Sequence, residues 1–303
     1  MAATAVEQAI WPSGVLPLIV IAGPTASGKT ALAVRLAAQF GGEIICADSR
    51  TVYRDMDIGT AKPTASEQAI VPHWGLDIAL PGERFTAAQF QQYARQKIAE
   101  IRARGRIPFL VGGTGLYIDA VIFDLAFAAG YDPQLRAKLQ HMSLAQLTKN
   151  CIENNIPLPE NSTNKRYIIR NVEKTTYRQY RPNRLIDHCI VVGIATKRAE
   201  LRTRIARRAE QLFLNNVVEE AIILGKKYGW DNEAMTGNIY PIIRRYLDGK
   251  IDQPTMIEQF IVADWRLAKR QMTWLRRNPF LMWCTLSTAE TYLSQLLVSP
   301  ENL

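Results

Sequence analysis

A chain of 303 residues with 48% hydrophobic and 21% charged residues has the composition of a folded globular protein with one or two domains, which excludes a fibrous or disordered chain. Its apolar runs, such as Pro17 to Ala22, are strand-sized, so no transmembrane segment is expected. A formal charge of +9 suits a polyanionic partner without naming one.

Met1 to Gly14 lacks a basic start followed by a long apolar stretch. Neither a signal peptide nor an anchor is expected, and the protein is assigned to the cytoplasm. Leu16 to Ala22 is apolar and rich in β-branched residues, a glycine-bearing turn follows, and Thr30 to Phe40 has helical periodicity. Further strand candidates are Glu43 to Ala47, Leu76 to Leu80, Ile107 to Val111, Ile190 to Ala195 and Phe280 to Leu286, separated by helical patterns. Such alternation predicts an α/β fold with a parallel sheet flanked by helices. Between Leu125 and Asp187 the pattern turns helical and polar, with turn signals at Asp132, Pro133 and Pro157 to Asn164. We read residues 125–187 as a mainly helical insertion that divides the core into 15–124 and 188–298. Arg202 to Lys227 and Thr255 to Arg277 read as helices, and the last strand candidate is expected to rejoin the sheet.

Cys46, Cys151, Cys189 and Cys284 have no close pairs, and His73, His141 and His188 are not spaced as ligands. This pattern argues against a disulfide framework and against zinc chemistry. Gly23 to Thr30, GPTASGKT, instead has two glycines separated by four residues and followed by lysine and threonine, in a strand-to-helix context. Backbone amides of Gly23, Pro24, Thr25, Ala26, Ser27 and Gly28, proline excepted, can turn toward phosphate oxygens at the positive end of a helix. Lys29 adds an ammonium, and Thr30 a hydroxyl for magnesium. This P-loop type of cradle serves nucleoside triphosphates and simple diphosphates alike, so a small-molecule kinase stays open at this point.

The second strand candidate runs into ADSRTVYRDMDIGTAKP, Ala47 to Pro63, placing Asp48 at the carboxyl end of a parallel strand, where open α/β sheets bind substrates. With GPTASGKT, this run resembles the tRNA dimethylallyltransferase family, in which a DSxQ motif meets the target adenosine. His73 to Asp77 with Phe85 and Phe90, GGTGLY at Gly112 to Tyr117, RIARR with Arg204 and Arg208, and AKRQMTWLR at Ala268 to Arg276 continue the resemblance over nearly the whole chain.

The resemblance implies transfer of a dimethylallyl group from dimethylallyl diphosphate to the N6 amine of the adenosine 3′ of the anticodon in tRNA. It casts Asp48 as the base, because an exocyclic amine is a weak nucleophile that benefits from losing a proton as the bond forms. Lys29, Thr30 with Mg2+, and Arg204 and Arg208 would neutralise the departing diphosphate. Thr114 would lie against the target nucleotide, Asp48, Ser49, Arg50 and Thr51 would line the base, and Arg136, Lys165, Arg166 and Arg170 would contact tRNA. A monomer is also implied. From the residues alone, the alternatives are Asp48 as a cap, Thr114 as a loop hydroxyl, and the arginines as a solvated basic face. Trp265 and Trp274 read as core residues before base platforms. The chain departs from the family where Thr51 stands for a glutamine, Tyr167 for an arginine, and AMTGNIYPIIRRYL for a GYKE-like segment of which only Tyr240 remains, with Ile239 and Pro241 in place of Gly and Lys.

Overall fold

Leu18–Ala22 forms β1, and all five residues are buried. The computed structural model describes residues 14–127, 133–159, 161–176 and 184–298; the expectations for residues 1–13 and the turn at Asp132 lie outside the described residues. Beside β1 stand β2 (Gly42–Ala47), β3 (His73–Trp74), β4 (Ile107–Gly112), β5 (Cys189–Ile194) and β6 (Met282–Cys284). Their order is β3-β2-β4-β1-β5-β6, and every neighbouring pair is parallel.

Parallel pairs need long crossovers, and the crossover helices bury both sheet faces, so the central strands read as continuous apolar runs. Ile19, Ile21, Ile44, Phe109 and Val192 share a core with α1 (Lys29–Gln39) and with α12 (Leu286–Val298). The alternate residues Val20, Ile45 and Leu110 are buried as well. After the short α2 (Ala65–Ile70), α3 (Ala87–Ala103) and α4 (Gly115–Ile122) pack on the central strands. Thr86 starts α3 with a capping box: its side chain accepts the Gln89 amide while Gln89 returns to the Thr86 amide.

The chain divides into two compact units, Met1–Ile122 with Leu185–Leu303, and Phe123–Arg184, against the 125–187 expected for the insertion. The second unit holds α5 (Pro133–His141), α6 (Leu144–Glu153) and α7 (Lys165–Thr176), whose core joins Leu139, Leu147, Cys151, Ile168 and Ile169. The first unit continues after β5 with α8 (Arg198–Leu214), α9 (Val217–Tyr228), α10 (Tyr240–Leu247) and the 23-residue α11 (Gln253–Leu275).

Two expectations are corrected. Leu76 to Leu80 is not a strand: β3 lies just before it, and Gly75 (φ +85°) and Asp77 (φ +56°) turn the chain into a loop that returns only an isolated bridge from Ala79 to Tyr53. The helix expected over Arg202 to Lys227 is broken between α8 and α9, where Asn216 adopts the left-handed conformation (φ +63°) that asparagine tolerates better than most residues. No helix among the described residues is long and apolar enough to cross a membrane.

Candidate active site

The sheet register builds the site. Ala22 of β1 and Ala47 of β2 both pair with Gly112 of β4, so the three strands end at one level. The chain leaves those ends as the phosphate loop, as Asp48, and as Gly113 with Thr114. Three loops distant in sequence therefore open onto the same cavity of about 670 Å3, whose lining includes Thr25, Lys29, Thr30, Asp48, Thr51 and Thr114. This is the carboxyl edge where open α/β sheets bind ligands.

Gly28 takes φ +88°, which strains any L side chain, and a Cβ there would also press on a Leu286 methyl at 2.8 Å. The loop thus turns tightly into the N-terminus of α1, whose unpaired amides and dipole favour an anion. Lys29 Nζ donates to the Pro24 carbonyl at 3.2 Å. Burial lowers its pKa from 10.5 to about 8; Asp48 and Asp264 act against this, and the Arg208 cation adds to it. The Ser27 hydroxyl is buried without a hydrogen-bond partner.

Asp48 Oδ1 accepts the Arg50 amide at 2.8 Å, and among the described residues Oδ2 takes no protein hydrogen bond. The turn-capping and catalytic readings of this carboxylate are therefore compatible, one oxygen for each. Thr114 Oγ1 accepts the Ser49 amide at 3.0 Å, and its own amide donates to Ala47 O, which fixes the Asp48 loop against the end of β4. Thr51 is buried with its hydroxyl unpartnered. Arg50 is committed within the protein, donating to Glu233 O, Ala234 O and Thr236 Oγ1. Burial pushes the neighbouring Cys46 thiol up to about 12, so it is no nucleophile at neutral pH.

Both arginines expected at the loop reach it from α8. Arg204 donates to Ser27 O at 2.9 Å and pairs with Glu200, while Arg208 donates to the Thr25 hydroxyl. Their spacing of one helical turn puts both on the face toward the loop.

The four cations expected to contact tRNA differ. Arg136, one-fifth exposed, and Arg170 both pair with Glu173, and Lys165 donates to Gln140 O. Arg166 is exposed, and its guanidinium has no protein partner among the described residues. Trp265 lies under Arg202 and Arg198, and Trp274 donates to Asp119 at 2.9 Å.

Several organising residues carry no readable role in the sequence. Glu220 of α9 accepts the amides of Asp57, Ile58 and Gly59 and the hydroxyl of Tyr240, so it holds the DIG turn like an external cap. Lys62, 4% exposed, bonds Asp57, Asp77 and Tyr53 O, which gives the rest of DIGTAKP a structural purpose. Gln271 Oε1 accepts the Thr25 amide at 2.8 Å, and Asp264 lies buried on the cavity wall. Glu220, Gln271 and Asp264 act on residues far apart in sequence, so spacing offered no signal; only the motif runs around Lys62 and Gln271 hinted at importance.

Among the described residues no cluster of three or more His, Cys, Asp or Glu is arranged to hold a metal. Magnesium keeps most of its shell as water and phosphate oxygens, so the Thr30 hydroxyl on the cavity wall fits it as a single protein ligand beside a diphosphate.

A family model described as IPP transferase matches residues 51–278. The tRNA dimethylallyltransferase of Anaeromyxobacter dehalogenans (strain 2CP-C) is 37% identical over 285 residues, covering 88% of this chain and 94% of that protein. The tRNA dimethylallyltransferase of Roseiflexus sp. (strain RS-1) is 40% identical over 281 residues, covering 87% and 91%. Among solved structures, the full-length tRNA isopentenylpyrophosphate transferase from Bacillus halodurans superposes with a TM-score of 0.71 at 33% identity, covering 93% of this chain and 96% of that one. The chain belongs to the IPP transferase family.

Proposed function

We propose that this protein transfers a dimethylallyl group from dimethylallyl diphosphate to the N6 amine of the adenosine 3′ of the anticodon in tRNA, releasing diphosphate. The observation that carries the reading is the opening of Asp48 and the phosphate loop onto one cavity. An acceptor purine and a donor diphosphate then meet inside it, and positioning alone removes much of the barrier. Family membership and the dimethylallyltransferase relatives support the choice of reaction over phosphoryl transfer.

In the proposed step the N6 lone pair attacks C1 of the donor as the C1–O bond to diphosphate breaks. The amine proton passes to Asp48, whose Oδ2 is free to accept it. Charge accumulates on the departing oxygen, where the loop amides, Lys29, Arg204 and Arg208 are gathered, the three side chains each already bonded to an atom of the loop. Mg2+ held at Thr30 would supply further charge neutralisation on the diphosphate. Thr114 and Ser49 hold the base loop in place, and Thr51 lines the same cavity. Of the four cations expected to contact tRNA, Arg166 is the one without a protein partner among the described residues, and it is available for tRNA phosphate. We further assign a monomer acting in the cytoplasm.

Incubating the protein with Mg2+, dimethylallyl diphosphate and tRNA, then digesting to nucleosides for mass spectrometry, tests the reading. A prenylated adenosine is expected with tRNA and not with AMP as acceptor. Its absence, or ATP turnover without tRNA, would reject the assignment.

A further inference from the structure

We propose that Asp264, tethered by Asn238, is a positioning residue that holds the Arg208 guanidinium at the mouth of the phosphate loop for the donor diphosphate. The inference rests on the reaction proposed above and adds a residue to its diphosphate end.

Asp264 lies on α11, is 3% exposed, and lines the cavity. Its Oδ1 accepts Asn238 Nδ2 at 3.2 Å, and the same amide group donates to Ala263 O at 3.4 Å. Oδ2 has no hydrogen-bond partner although it is buried. What it faces is Arg208 Nη1, at 3.6 Å. A buried carboxylate is retained only where something compensates its charge, and the cation of Arg208 is that compensation.

The geometry is suited to positioning and not to competition. Arg208 spends a hydrogen bond on the Thr25 hydroxyl, at the phosphate loop, and its Nε stays unpartnered. At 3.6 Å Asp264 attracts the guanidinium without a hydrogen bond that a diphosphate oxygen would have to displace. Without that attraction a long, flexible side chain regains rotamers that leave the loop. Asn238 directly precedes Ile239 and Tyr240, and the Tyr240 hydroxyl bonds Glu220, so the tether is held in a segment that is itself anchored to α9.

The test measures binding of magnesium pyrophosphate by calorimetry, together with separate KM values for dimethylallyl diphosphate and tRNA. Asp264→Asn keeps the shape and removes the charge; it should weaken pyrophosphate about tenfold and raise the donor KM alike, with tRNA KM within twofold of the parent. In an Arg208→Ala background, measured at about pH 6 so that Lys29 stays protonated when Asp264 no longer supports its charge, the same substitution should change pyrophosphate binding less than about twofold. Asn238→Ala, which leaves the carboxylate in place, should weaken binding about threefold only when Arg208 is present, and it carries the test alone if Asp264→Asn does not fold. Unchanged or tighter binding, or equal losses with and without Arg208, overturns the positioning role. A parent protein that prenylates no tRNA while binding pyrophosphate normally would instead defeat the proposed reaction.

Discussion

Gln271 accepts the Thr25 amide at 2.8 Å, so a side chain near the end of α11 holds an amide of the phosphate loop 246 residues away in the chain. Replacing it with leucine removes one hydrogen bond, worth about 1 kcal/mol, and frees the loop to sample other conformations. For Gln271→Leu we expect kcat/KM for dimethylallyl diphosphate to fall roughly five- to thirtyfold, with the KM for tRNA nearly unchanged. Steady-state kinetics with each substrate varied in turn decides it; an unchanged donor constant would mean that the loop holds itself.

Asp48→Ala removes the proposed base while leaving the Thr114 to Ser49 bond that supports its loop. The single-turnover rate should drop about 10²- to 10⁴-fold, the usual contribution of a general base. Affinity for tRNA, read by filter binding, should stay within a few-fold. A rate loss below tenfold would move the proton to another acceptor.

The lysine of the loop predicts a pH dependence. Lys29 titrates at about 8 because burial outweighs the nearby carboxylates, Asp48 and Asp264, and Arg208 repels its charge. The cation proposed to meet the diphosphate is present below that pH and lost above it, so kcat/KM for the donor should be flat near neutrality and fall about tenfold per unit above about 8. Lys29→Arg keeps its charge and should flatten this limb, at a lower absolute rate. Stability moves the other way: the unfolded chain holds the proton up to 10.5 and the folded chain only to about 8, so this group's contribution rises with pH between the two.

Lys62→Met leaves Asp57 and Asp77 without their shared cation and Tyr53 O without its donor. Both carboxylates are about half exposed or more, so water recovers part of the loss. We expect unfolding in urea to report about 2 kcal/mol less stability. A change under about 0.5 kcal/mol would place Lys62 among dispensable surface pairs.

What could be read in the sequence was whatever lies within one contiguous run. GPTASGKT names its own strand, turn and helix, and Asp48 is placed by following a strand immediately. Leu76 to Leu80 misled because a partly buried loop carries the same apolar residues as a strand, while the turn depends on positive φ at Gly75 and Asp77. The amphipathic period of α8 runs on through Asn215 and Asn216, so only the asparagine pair hinted at the break. Glu220, Asp264 and Gln271 act across the fold on partners that no local pattern can supply.

The 23-residue α11 bears Asp264 opposite Arg208, Gln271 on the Thr25 amide, and Trp274 on Asp119 of α4, the helix that follows Thr114. One rigid rod thus indexes the donor end and the acceptor end against each other, as a shared ruler would. A small axial slip of this rod, about 1.5 Å for each residue of register, would shift the side chains at both ends of the proposed site together.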